Sequence, residues 1–157
     1  MLKWLKKYIE PIIPLEHIIP LVSCFIINIL IYSGSMFLTQ GWEKRNFTRS
    51  FDEAFPFVPA FIYIYFGCYI FWVINYIILA RQEKETFYRF QTADILSRLV
   101  CLIFFIMIPT ENIRPDVEVT SLSTWLMDFL YKVDQPANLF PSIHCLVSWL
   151  CYIGIRG

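Results

Sequence analysis

Of 157 residues, 57% are hydrophobic, 18% aromatic and 17% charged, and the formal net charge is zero. A soluble domain averages about 45–50% apolar and about 25% charged residues, so both figures depart from that class towards the membrane. The hydrophobicity excludes disorder, five cysteines scattered through apolar runs make no disulfide scaffold, and without a basic block nucleic acid is not an expected partner.

The segment Met1–Ile9 places Leu2, Leu5 and Ile9 on one helical face beside Trp4, with lysines opposite, and predicts an interfacial helix. From Ile18 to Leu38 no residue carries a formal charge, and the run is long enough to cross roughly 30 Å of hydrocarbon. A second uncharged run extends from Ala54 to Ala80, with Pro56 and Pro59 in its first turns, where a helix tolerates proline. The third, from about Ile95 to Pro109, is short and carries Arg98 near its start. It can span only if Arg98 snorkels or finds a partner, and Asp94, four residues earlier on the same face, offers an ion pair. A fourth apolar run begins after His144 and reaches only Ile155. It is too short for a full crossing, so the chain reads as ending inside an element.

The fold expected is all-α: a polytopic transmembrane helical bundle with spans at about 18–38, 54–80 and 95–109, the start of a fourth at 144–155, and an outer segment at 110–143. The whole is read as one membrane domain, 1–157, expected to be truncated. Lys3, Lys6 and Lys7, together with Arg81, Lys84 and Arg89, fall on one side of three crossings, which the positive-inside rule makes cytoplasmic. The other side holds Lys44, Arg45 and Arg49, offset by Glu43, Asp52 and Glu53, and then the acidic outer segment. Within that segment Ser123 is the expected cap of a helix to Val133, with Trp125, Leu126, Phe129, Leu130 and Val133 on one face. Twenty-three isoleucines against five alanines point to an AT-rich, bacterial genome, and the expected location is the cell membrane.

Several polar residues have ordinary structural explanations. Asn28 and Asn75 suit interhelical hydrogen bonds, and His17 beside Glu16 suits a membrane edge. No cysteine or histidine stands at metal-site spacing, so no metal and no cofactor is expected. The outer segment is different. It opens with Pro109–Pro115, including Arg114, and closes with Asn138–His144, each next to an apolar run at one membrane face. Ser142 and His144 stand where a helix begins, with free amides and a dipole that favour an anion. An arginine brought to them would hold phosphate in a fork of donors, and a histidine can protonate a leaving oxygen near neutral pH. A plain helix start with an interfacial histidine remains the alternative.

Pro141-Ser142-Ile143-His144 resembles the Pro-Ser-Gly-His motif of the type 2 phosphatidic acid phosphatase superfamily, and Arg114-Pro115 resembles the end of that family's first motif, Lys-x6-Arg-Pro. The wording Phe140–His144 is most similar to the inositol phosphorylceramide synthase-like branch, as is the stretch from Asp52 to Tyr65. The resemblance implies a bundle of about six helices and a phosphate held by Arg114, Ser142 and the amide of Ile143. It makes His144 the acid that protonates the leaving alcohol. Two departures stand out. Met107 occupies the place of the first motif's lysine, for which Lys132 would substitute only by accident of folding. The third motif, Ser-Arg-x5-His-x3-Asp, whose histidine is the nucleophile, is absent. The resemblance therefore implies a metal-independent lipid phosphatase or phosphotransferase acting on a lipid phosphate or phosphodiester at the extracytoplasmic face. This chain would carry half of the mechanism and lack turnover by itself. The other reading is a non-catalytic membrane protein that binds lipid or partner helices.

Overall fold

The computed structural model describes residues 2–48, 54 and 56–156, apart from the side chains of residues 2, 3 and 5. The side chains of Leu2 and Leu5 on the expected interfacial face, and Arg49, Asp52 and Glu53 of the outer loop, lie outside what is described. Among the described residues six helices are delimited, in order: α1 (Leu2–Tyr8), α2 (Leu15–Leu38), α3 (Phe61–Ala80), α4 (Lys84–Met107), α5 (Leu122–Val133) and α6 (Ile143–Arg156). Two-residue strands, β1 (Arg45–Asn46) and β2 (Thr110–Glu111), pair in parallel, Arg45 opposite Thr110. Helices α2, α3 and α4 are long and apolar enough to cross a membrane. The chain is a polytopic all-α bundle, and exposed residues such as Ile19, Leu30, Ile64, Ile70, Leu96 and Ile103 form its apolar exterior.

The boundaries depart from expectation in ways the residues explain. Pro56 and Pro59 precede α3 instead of starting it, consistent with proline's bias against helical backbone at the residue before it. Helix α4 begins eleven residues before Ile95, because the charged turns from Lys84 to Arg89 continue the helix. Arg98 is therefore in the interior of α4, more than two turns from either end. The cap of α5 is Ser121, not Ser123. The Ser121 hydroxyl accepts from the Thr124 amide while Thr124 Oγ1 accepts from the Ser121 amide, a reciprocal pair that satisfies two end donors.

Ties at both ends fix the alternating course of the three long helices. At the end that carries α1, buried His17 places Nδ1 2.7 Å from the carbonyl oxygen of Ala80, the last residue of α3. The final carbonyls of a helix lack intrahelical donors, so His17 acts as a cap supplied from another helix. Its ring also stacks on Phe87 at 4.2 Å. The Lys84–Glu16 ion pair (2.7 Å) and a bond from Arg81 to the Pro11 carbonyl close the same end. At the far end the β1–β2 ladder joins the segments that follow α2 and α4.

Between these ends lies a buried polar network. Arg98 holds Asp94 in a fork, Nη2 to Oδ1 at 2.9 Å and Nε to Oδ2 at 3.0 Å. The Tyr76 hydroxyl donates to Asp94 (2.9 Å) and accepts from Arg98 Nη2 (3.1 Å). Arg98 Nη1 donates to Asn28 Oδ1. Three helices thus share one charge pair, as the Asp94–Arg98 spacing and the expected Asn28 bond required in part. Asn75 behaves otherwise: its amide donates to the carbonyl of Phe71 in its own helix, so it bridges no helices.

Helix α6 packs on α3 and α4 through Val147 and Cys151, against Leu79, Phe87 and Phe90. Its approach is closest at Gly154, where a β-carbon would stand 2.8 Å from Leu79 Cδ2 and 3.0 Å from Phe90 Cδ2. Leu79 is fully buried and has no room to retreat. Gly154→Val is expected to lower stability by about 1–3 kcal/mol, the usual penalty of overpacking, in thermal unfolding in detergent. Gly67 is the control. Nothing approaches its missing β-carbon, so Gly67→Ala should be neutral or stabilising by up to about 1 kcal/mol.

Candidate functional site

The segment that leads into α6 is tied to the ends of α2 and α4. Thr110, just past α4, anchors it: the Asn138 amide donates to the Thr110 carbonyl (3.2 Å) and the Leu139 amide to Thr110 Oγ1 (2.8 Å). Asn138 adopts a left-handed backbone (φ 57°), which asparagine tolerates better than most residues. Its side-chain amide donates to Ser35 Oγ at 2.9 Å and to the Tyr32 carbonyl at 3.3 Å. From there the chain leads into α6, which packs on α3 and α4. Its residue His144 packs against Tyr65, Tyr69 and Trp72 of α3, at centroid distances of 4.9, 6.0 and 5.2 Å. Those residues lie four to eleven positions into α3, about 6–16 Å at 1.5 Å per residue. Ser142 and His144 therefore stand alongside the Tyr65–Trp72 stretch of α3. Irregular backbone beside a spanning helix is tolerated where it lines a cavity, and here it does.

The cavity has a volume of about 340 Å³. Asn28 and Tyr32 of α2, Tyr65, Tyr69 and Trp72 of α3, and Arg114, Asp134, Ser142, Ile143 and His144 are among its lining residues. All four residues singled out from sequence are therefore brought together around one space. The amides of Ile143 and His144, at the first positions of α6, make no hydrogen bond among those described, while Ser142 Oγ accepts from the Cys145 amide at 3.4 Å. His144 Nε2 is buried without a partner among the described residues. Trp72 beside it is fixed by a 3.0 Å bond from its indole nitrogen to Ser148 Oγ.

Arg114 is partly engaged already. Its Nη2 meets Asp134 Oδ2 at 3.2 Å, its Nη1 donates to the Asp134 carbonyl, and its guanidinium lies over the Tyr131 ring at 4.7 Å. The Tyr32 hydroxyl donates to the other Asp134 oxygen at 2.8 Å. Burial pushes the Tyr131 phenol up from its ordinary range, against the pull of Arg114, so at neutral pH it stays an uncharged platform. Neither Met107 nor a lysine supplies the missing cation. Met107 is 74% exposed, and Lys132 pairs with Asp128 at 2.6 Å away from the cavity. Among the described residues no group of three or more His, Cys, Asp or Glu side chains is placed to hold a metal ion.

No family model matches the chain, and neither a curated protein nor a solved structure does. The geometry therefore stands by itself. Sequence reasoning missed Asp134, taken only as part of a turn, and the aromatic wall. A signal for the wall existed: Tyr65, Tyr69 and Trp72 recur at the spacing of one helical face. The carboxylate in contact with Arg114 had none, because only folding brings residues 114 and 134 together.

Proposed function

We propose that this chain belongs to an integral-membrane lipid phosphatase or phosphotransferase of the type 2 phosphatidic acid phosphatase kind, and that the cavity receives the phosphate of a lipid phosphate or phosphodiester. The observation that carries the reading is the meeting of Arg114, Ser142, Ile143 and His144 around one cavity. Arg114 would bind two phosphate oxygens, and the free amides of Ile143 and His144 a third, assisted by the dipole of α6. In the proposed reaction a histidine nucleophile attacks phosphorus, the bond to the leaving alkoxide breaks, and His144 gives that oxygen a proton. Water or a second alcohol then attacks the phosphohistidine. The nucleophile comes from outside these 157 residues: the only other histidine, His17, caps α3 at the opposite end of the bundle. The site would open to the extracytoplasmic leaflet, with the lysine-bearing α1 end in the cytoplasm.

The Arg114–Asp134 contact favours a second reading, a non-catalytic protein that binds lipid, since a carboxylate beside the anion site opposes phosphate. Titration of the detergent-purified chain with inorganic phosphate or vanadate separates the two. Saturable binding is expected, weakened at least about thirtyfold in Arg114→Ala, in line with about 2 kcal/mol or more for a charge-assisted pair. Equal titration of the variant and the parent chain would overturn the phosphate reading. Recovery of Ser-Arg-x5-His-x3-Asp from the gene downstream of codon 157 would support the enzyme.

A further inference from the structure

The side chain of Asn28 has a determined orientation. Arginine carries donors only, and Arg98 Nη1 is bonded to Asn28 Oδ1. The carboxamide oxygen is thereby committed to Arg98, and what remains for the cavity is the NH₂ group. The guanidinium cannot swing to release it, because Nε and Nη2 are held by Asp94 and Tyr76. Asn28 lines the same cavity as Arg114, Ser142 and His144, and its Nδ2 has no acceptor among the described residues. An amide NH₂ open to a cavity is free to donate to an acceptor that enters it. The ordinary polar residue of a membrane helix finds one on a neighbouring helix, whereas the NH₂ of this one faces away from Arg98 and finds none among the described residues.

We propose that Asn28 is a phosphate ligand whose Nδ2 donates to an anionic oxygen held by Arg114 and the first amides of α6, and that Arg98 is the positioning residue that keeps this donor facing the cavity. The proposal rests on the phosphate reading above and extends it to α2. It also accounts for chemistry the cavity lacks. No lysine lines it, and a neutral donor backed by a buried guanidinium provides a second side-chain contact. The ligand chemistry is a phosphate group, whether free or on a lipid head group.

The test uses the full chain in detergent, titrated with inorganic phosphate and with dihexanoyl phosphatidic acid. Asn28→Asp is the informative variant, because it keeps an acceptor for Arg98 and replaces the donor by an acceptor. It is expected to retain the parent melting temperature or exceed it, and to lose at least about tenfold in affinity for both probes, the size of a lost bond to a charged group. Loss of affinity for the lipid probe alone would place the donor against a lipid phosphate specifically, and still support it. The Asn28 side-chain amide resonance, assigned by its disappearance in Asn28→Asp, should shift on phosphate addition. Arg98→Gln, able to accept as well as donate, should release the orientation and weaken binding, and Arg98→Lys, a donor only, should restore it. Unchanged affinity in Asn28→Asp, with binding still lost in Arg114→Ala, would overturn the role of Asn28 and leave the phosphate reading intact. No saturable binding by the parent chain would overturn both.

Discussion

Arg98→Met is expected to lower the stability of the bundle by about 3–5 kcal/mol, the largest loss from any single substitution considered, because it leaves a buried carboxylate without its counter-charge. Asp94 is fully buried and Arg98 nearly so, with side-chain exposures of 0% and 5%. In that setting the pair adds little net stability relative to apolar residues of the same shape, but half of it is strongly destabilising. The double variant Asp94→Leu/Arg98→Met should therefore recover most of the loss. Reversible unfolding in mixed micelles, followed by circular dichroism across the two single variants and the double variant, measures the coupling directly. A loss in the double variant equal to the sum of the two single losses would show that the partners are not coupled. The network is also the contact through which α4 acts on the cavity, so the same variants bear on site geometry as well as on folding.

Asp134→Asn is expected to tighten phosphate binding by about ten- to a hundredfold. The carboxylate stands 3.2 Å from Arg114 Nη2 and competes with any anion for that guanidinium. Two unit charges about 4 Å apart interact by about 4 kcal/mol at an effective dielectric near 20, and water in a partly open cavity reduces this. Asparagine keeps an oxygen for the Tyr32 hydroxyl and leaves the carbonyl bond from Arg114 in place, so the loop should hold its path. Phosphate titration of the variant at fixed ionic strength measures the effect. A weakened site would show instead that Asp134 serves to aim Arg114.

What the sequence made legible was whatever depends on local pattern. The apolar run from Ile18 to Leu38 became α2 with three more residues at its start, and the Asp94–Arg98 spacing became a real ion pair. The uncertain parts were those decided by contacts between distant segments. His17 looked like an edge residue because nothing local shows the open carbonyl of Ala80 that it reaches. Tyr76 and Asn28, the partners that make Arg98 tolerable in mid-helix, lie on two other helices. The four candidate site residues were legible from motif wording and position. Their place beside the aromatic face of α3 was not, because it depends on the bonds by which Asn138 and Leu139 are tied to Thr110.

The position of His144 among aromatic rings bears on selectivity. Its Nε2 is buried without a partner among the described residues, and Tyr65, Tyr69 and Trp72 pack around the ring. Aromatic faces favour apolar groups, so a phosphate that carries an organic substituent would meet a more favourable surface there than one with free oxygens on every side.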